Sequence, residues 1–158
     1  MSDLKDLKEL TKAKEAQERQ EMQDKIIERL RSIKRDGIDE LINYLLERTD
    51  YFIAPASTKF HSNFDGGLAF HSNNVVELML QKNKQYNLGL SNDTIYLTGY
   101  LHDLCKCNLY EKTMRLKKDE MTGKWIGYAS YERNETVPLG HGEKSVILLQ
   151  QFVKLTLE

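Results

Sequence analysis

No stretch of this chain is apolar for long enough to cross a membrane, and the N-terminus lacks the apolar core of a signal peptide. Cysteine is almost missing. Cys105 and Cys107 are the only two; one residue apart, they are too close for an ordinary disulfide and too few for a zinc knuckle. These scarcities predict a reduced, cytoplasmic protein. An excess of either charge is missing too. Lys and Arg number 23 against 24 Asp and Glu, a net charge of −1. No global basic field exists to bind duplex nucleic acid in bulk, which leaves only a local basic patch for that purpose. The 158 residues provide room for one modest core and an appended helix.

Residues 1–36 hold neither glycine nor proline and are dense in Lys, Glu, Gln and Arg. Leu4, Leu7 and Leu10 form one thin stripe, and Met22, Ile26, Leu30 and Ile33 form another, so the segment reads as a charged N-terminal helix or arm. A solvated helix and a partner-docking helix both fit, but the polar interval from Thr11 to Gln20 does not support a long zipper. Gly37 breaks the pattern and opens the main domain, 37–158. Ile38, Leu41, Ile42, Leu45 and Leu46 define a short amphipathic helix, and Pro55 sits in an irregular connection. Gly66-Gly67 then precede a helix whose inward positions are Leu68, His71, Val75, Leu78 and Met79.

Ser91-Asn92-Asp93 reads as the N-cap of the next helix, expected to run from Ile95 to Cys105 and to carry His102-Asp103. Residues 108–134 change character. Two strand-like runs flank Asp119-Glu120-Met121-Thr122-Gly123 and predict an inserted β-hairpin. Its first strand holds Lys112, Arg115, Lys117 and Lys118, read either as a solvated edge or as a flap meeting an anionic substrate. Pro138 to Gly142 lead into a last helix, 146–155, apolar nearly all round as a buried helix should be. The fold expected is mainly α, a helical bundle with one hairpin and a polar N-terminal helix.

The His102-Asp103 pair starts at the edge of an apolar stripe. An ionised carboxylate buried without compensation costs several kcal/mol, so Asp103 needs a cation, hydrogen-bond donors or an exit to water. A metal would supply the cation, and imidazole beside carboxylate is ordinary first-row metal ligation. A second inward histidine, His71, lies 31 positions upstream. His141 falls near the start of the last helix, where free N–H groups favour a phosphate.

Three spaced motifs, Gly66-Gly67-Leu68 with His71-Ser72, Leu101-His102-Asp103-Leu104-Cys105-Lys106, and Pro138-Leu139-Gly140-His141-Gly142-Glu143-Lys144-Ser145, stand in that order. With them the chain, from about Tyr51 onward, resembles the HD-domain metal-dependent phosphohydrolases of the bacterial and phage branch. The resemblance implies an HD-type helical bundle in which His71, His102 and Asp103 bind a divalent metal (Mn, Fe, Zn, Ni or Mg, one ion or two). It implies that Asp103, Lys106 and His141 are catalytic, Lys106 neutralising a phosphate oxygen. His141 would hold a second ion in two-metal members, or contact substrate or protonate the leaving group in one-metal members. Lys106, Lys144, Arg115 and His61 are the substrate-facing candidates, with Asn63 at the pocket edge. The implied substrate is a nucleotide or short single-stranded nucleic acid, with no membrane involved.

The family's final metal-binding aspartate has no counterpart, since no aspartate follows Asp119. The resemblance therefore implies a chain short of its C-terminal part, with apolar surface left exposed on 146–155. That surface, or the N-terminal helix, would support a homo-oligomer. The same departure sustains a second expectation, an impaired HD domain that binds a nucleotide or protein and turns nothing over.

Overall fold

The computed structural model describes residues 2–134 and 139–156, without the side chains of residues 2–6 and 8. Pro138, Leu157 and Glu158, and the side chain of Leu4, lie outside what is described. Among the described residues, five helices and one two-stranded antiparallel sheet make the fold mainly α. The helices are α1 (Ser2–Arg31), α2 (Ile38–Glu47), α3 (Gly67–Tyr86), α4 (Asn92–Leu101) and α5 (His141–Leu149). A 3₁₀ turn, Leu104–Lys106, follows α4 and leads into the hairpin of β1 (Tyr110–Lys118) and β2 (Trp125–Arg133). No helix among the described residues is long and apolar enough to cross a membrane.

The core is assembled from one stripe of each helix. Ile26 and Leu30 of α1, Leu41, Ile42 and Leu45 of α2, Leu68 and Val76 of α3, and Ile95 and Leu101 of α4 are almost fully buried. Each such side chain contributes about 1.5–3 kcal/mol over leaving it in water. The early part of α1 stays out of this core: Leu7 and Leu10 are exposed, whereas the chain from Ile26 on packs inside. Lys25 and Arg29 of α1 both reach Glu77 of α3 at 2.8 Å, pairs open enough to water to add no more than about 1 kcal/mol.

Two findings depart from the sequence expectation. The helix expected to run through Cys105 ends at Leu101, because its last carbonyls are taken by side chains. The Tyr51 hydroxyl donates to the carbonyl of Tyr100 at 2.7 Å, and His102 Nδ1 meets that of Gly99 at 2.8 Å. Those carbonyls no longer need an N–H from the next turn, so the chain turns away at Asp103 (φ −109°, ψ 21°). The other concerns α5, which departs from the helix buried all round that its pattern suggests, not from the exposed apolar surface on 146–155 that the resemblance implies. Only Ser145 and Leu149 are buried on it, and Val146 and Ile147 are 43% and 49% exposed, because it meets the body along one side alone.

Candidate metal centre

α3 and α4 carry the site between them, and close backbone approach sets their separation. A Cβ at Gly99 would stand 2.6 Å from Val76 Cγ2, so only glycine lets α4 lie this close to α3. At the start of α3, a Cβ at Gly67 would run into the carbonyl of Ser62. That contact folds the 58–66 loop against the helix and brings the His61 ring within 4.7 Å of the His71 ring, centroid to centroid.

His71, His102 and Asp103 are the one group among the described residues whose ligand atoms cluster as a metal site would. The Nε2 atoms of His71 and His102 are 3.3 Å apart, and Asp103 Oδ2 lies 3.5 Å from the first and 3.2 Å from the second. An ion held tetrahedrally by bonds of about 2.0–2.1 Å spaces its ligands about 3.3–3.4 Å apart; octahedral neighbours stand about 2.9 Å apart. The triangle fits the first edge and is a few tenths of an ångström wide for the second. Two imidazoles and one carboxylate also suit Mn, Fe, Ni or Zn better than Mg, which favours oxygen throughout.

The ligand nitrogen of His102 is set by its other one. A carbonyl only accepts, so Nδ1 carries the proton that bonds Gly99, and the neutral ring presents the Nε2 lone pair to the cluster. Asp103 is 8% exposed. Burial pushes its carboxyl up, but hydrogen bonds from His102 and Lys106 outweigh that and hold it well below the usual range. The bond to Asp103 raises the His102 pKa against the pull of burial, while burial and the charge of His102 lower that of His71. Without an ion, the Asp103 carboxylate thus favours the protonated form of His102, while His71 is biased toward its neutral form. Lys106 Nζ stands on the same Asp103 oxygen at 2.8 Å, nearly buried.

The other sequence candidates fall around this centre. His61 is at its mouth, exposed, with Asn63 in the same loop. His141 lies outside the ligand cluster, with Nδ1 3.2 Å from Cys105 Sγ and Nε2 3.4 Å from Arg133. A guanidinium only donates, so Nε2 accepts and Nδ1–H points at the sulfur. Lys144 is half-buried on α5. Arg115 is out on the hairpin, tied to Glu132 at 2.9 Å.

Four supports escaped the sequence reading. Tyr51 ends α4, and Ser145 Oγ accepts from the Cys105 N–H at 3.1 Å, fastening α5 under the turn that holds Lys106. Asn108 and Asp50 exchange bonds between backbone N–H and side chain at 3.1 and 2.6 Å, and Asp65 accepts from Lys112 and Tyr131 at the hairpin root. Ser145 stands inside the third motif; the other three carry no local signal. A cavity of about 900 Å³, lined by Met22, Phe52, Phe64, Phe70, Arg19 and Tyr131 among others, lies apart from the three ligands.

No family model matches the chain, and no solved structure matches it. A curated relative, the 3'-5' exoribonuclease YhaM of Geobacillus sp. (strain WCH70), is 34% identical over 85 residues. The match spans 52% of this chain and 26% of that relative, about a quarter of its length.

Proposed function

We propose that this chain is an HD-type, metal-dependent phosphohydrolase acting on a nucleotide or short single-stranded nucleic acid. The observation that carries the proposal is the convergence of His71, His102 and Asp103 at ligand spacing beside the nearly buried Lys106. The three motifs and the partial likeness to an exoribonuclease support a phosphate ester as the substrate. A divalent ion held by these three residues would supply Lewis acidity toward a phosphoryl oxygen and lower the pKa of a water.

The chain's own groups do the rest. The Gly99 carbonyl keeps the His102 ring in the tautomer that faces the cluster, and Asp103 fixes the negative pole of the site. Lys106 is placed to trade its contact with Asp103 for an incoming phosphate oxygen, a cation where negative charge develops. His61 borders the opening and is free to touch the substrate, while Cys105 and Arg133 orient His141 beside the turn.

Hydrolysis of p-nitrophenyl phosphate and bis(p-nitrophenyl) phosphate by protein loaded with Mn²⁺, Fe²⁺, Ni²⁺ or Zn²⁺ tests the proposal. Turnover of at least one ester is expected. It should be lost in His102→Ala and Asp103→Ala, and fall about a hundredfold in Lys106→Ala. Turnover that survives Asp103→Ala overturns the proposal. So does a protein that binds nucleotide yet hydrolyses neither ester with any ion, the behaviour of a binding module.

A further inference from the structure

The hairpin rises from the rim of the metal centre and, among the described residues, is exposed over most of its length. β1 begins four residues after Lys106, and β2 ends at Arg133, which reaches His141. Asp65 grips the root through Lys112 and Tyr131. Beyond that grip, the last six residues of β1 and the first six of β2 extend over roughly 20 Å.

The register decides what each face shows. Leu116 pairs with Gly127 and Lys118 with Trp125, so Met114, Leu116, Lys118 and Trp125 share one face. Met114 is 72% exposed, and Leu116 and Trp125 are each 68% exposed. An apolar sheet face this open is an aggregation hazard unless something uses it. The cations around it are free of carboxylates. Lys118 on this face and Lys124 beside Trp125 have no salt-bridge partner among the described residues, whereas Lys117 belongs to the opposite face, over the Tyr128 ring. The adjacent Asp119 carboxylate is occupied by the N–H groups of Met121 and Thr122 in the turn.

We infer that this face binds single-stranded nucleic acid, with Trp125 stacking on a base and Lys118 and Lys124 meeting the neighbouring phosphates. The inference rests on the phosphohydrolase reading and names its substrate class, a single strand led along the hairpin toward the centre. Charge complementarity selects the occupant. A polyanion satisfies the two unpaired lysines beside an exposed indole, whereas a second hairpin would set lysine against lysine. A duplex keeps its base faces stacked inside and offers Trp125 nothing to stack on.

Trp125 is the only tryptophan in the chain, so its fluorescence reports the contact directly. Titrating the metal-free chain with a single-stranded oligouridylate should quench that emission, and a blunt duplex of equal length should not. Two phosphate contacts at about 0.7 each predict that log affinity falls with log salt at a slope of about −1.4. By anisotropy of a labelled oligouridylate, Trp125→Ala should bind about tenfold more weakly. Lys118→Ala should reduce the slope by about 0.7. Unchanged emission at saturating oligouridylate overturns the inference, as does wild-type affinity in Trp125→Ala. Emission that shifts with protein concentration alone overturns it too, by marking the face as a contact between copies. Ester hydrolysis by the metal-loaded wild-type chain is scored separately. Its failure strikes the phosphohydrolase reading, and binding indifferent to Trp125 strikes the hairpin.

Discussion

The stretch from Asn92 to Lys106 and the hairpin that follows it are neighbours in the chain and opposites in construction. In the first, Ile95, Leu97, Tyr100, Leu101 and Leu104 are buried, and the Gly99 and Tyr100 carbonyls at the helix end are claimed by side chains. In the second, exposed Met114, Leu116, Trp125 and Ile126 face water, and contacts to the body gather at the root. The contrast explains where each kind of chemistry resides. Groups that must meet within a few tenths of an ångström sit where packing fixes them. A surface meant to follow an irregular polymer is better placed on an element that packing leaves alone.

Truncating one leucine in each region is the widest test of that contrast. Leu104→Ala should cost about 3 kcal/mol in denaturant unfolding. Leu116→Ala should fall within about 0.5 kcal/mol of wild type. Equal losses would mean the hairpin is packed after all.

The charges of the centre come next. In metal-free protein, Asp103→Asn should cost about 2 kcal/mol, since it leaves Lys106 and His102 without their anion. The pH dependence follows from the two shifts. Asp103 is depressed on folding, so its contribution is present above the ordinary carboxyl value of 3.8 and lost as pH falls through the folded value. His102 is raised, so its contribution is complete below 6.5 and lost as pH rises through the folded value. The deficit of Asp103→Asn should therefore be widest between about pH 4 and 6.5 and narrow on both sides; a deficit that does not vary with pH contradicts the pairing.

Smaller effects probe the joints. Gly67→Ala should cost about 1.5 kcal/mol, because the added methyl group must displace the Ser62 carbonyl, and it should loosen His61 from His71. Asp65→Ala should cost under about 1 kcal/mol. Its signature is faster amide exchange in β1 and β2 with α3 and α4 unchanged. Acceleration throughout the chain would show that the hairpin is structurally continuous with the body.

What could be read from the residues was whatever repeats or caps locally. The stripe Leu41, Ile42 and Leu45 marked α2, Ser91 marked the start of α4 through its bond to the Thr94 N–H, and the turn around Gly123 marked the hairpin. The end of α4 could not be read, because the groups that stop it come from elsewhere. Tyr51 is 49 residues from the carbonyl it takes. His71 and His102 were visible as candidates because both fall on inward stripes, but their 3.3 Å approach depends on how closely α4 lies on α3 at Gly99. The exposure of Val146 and Ile147 is likewise a tertiary fact. An apolar pattern alone does not say which side of a helix has a neighbour.

The account stands or falls on the three donors acting as one ligand set. Zn²⁺ titrated calorimetrically into the metal-free chain should bind near one equivalent, and more weakly as pH falls, since a proton on His102, which Asp103 favours, competes with the ion. That binding should vanish in His71→Ala, His102→Ala and Asp103→Ala and persist in Trp125→Ala. Uptake that is absent from the wild type, or undiminished when Asp103 is removed, would contradict it.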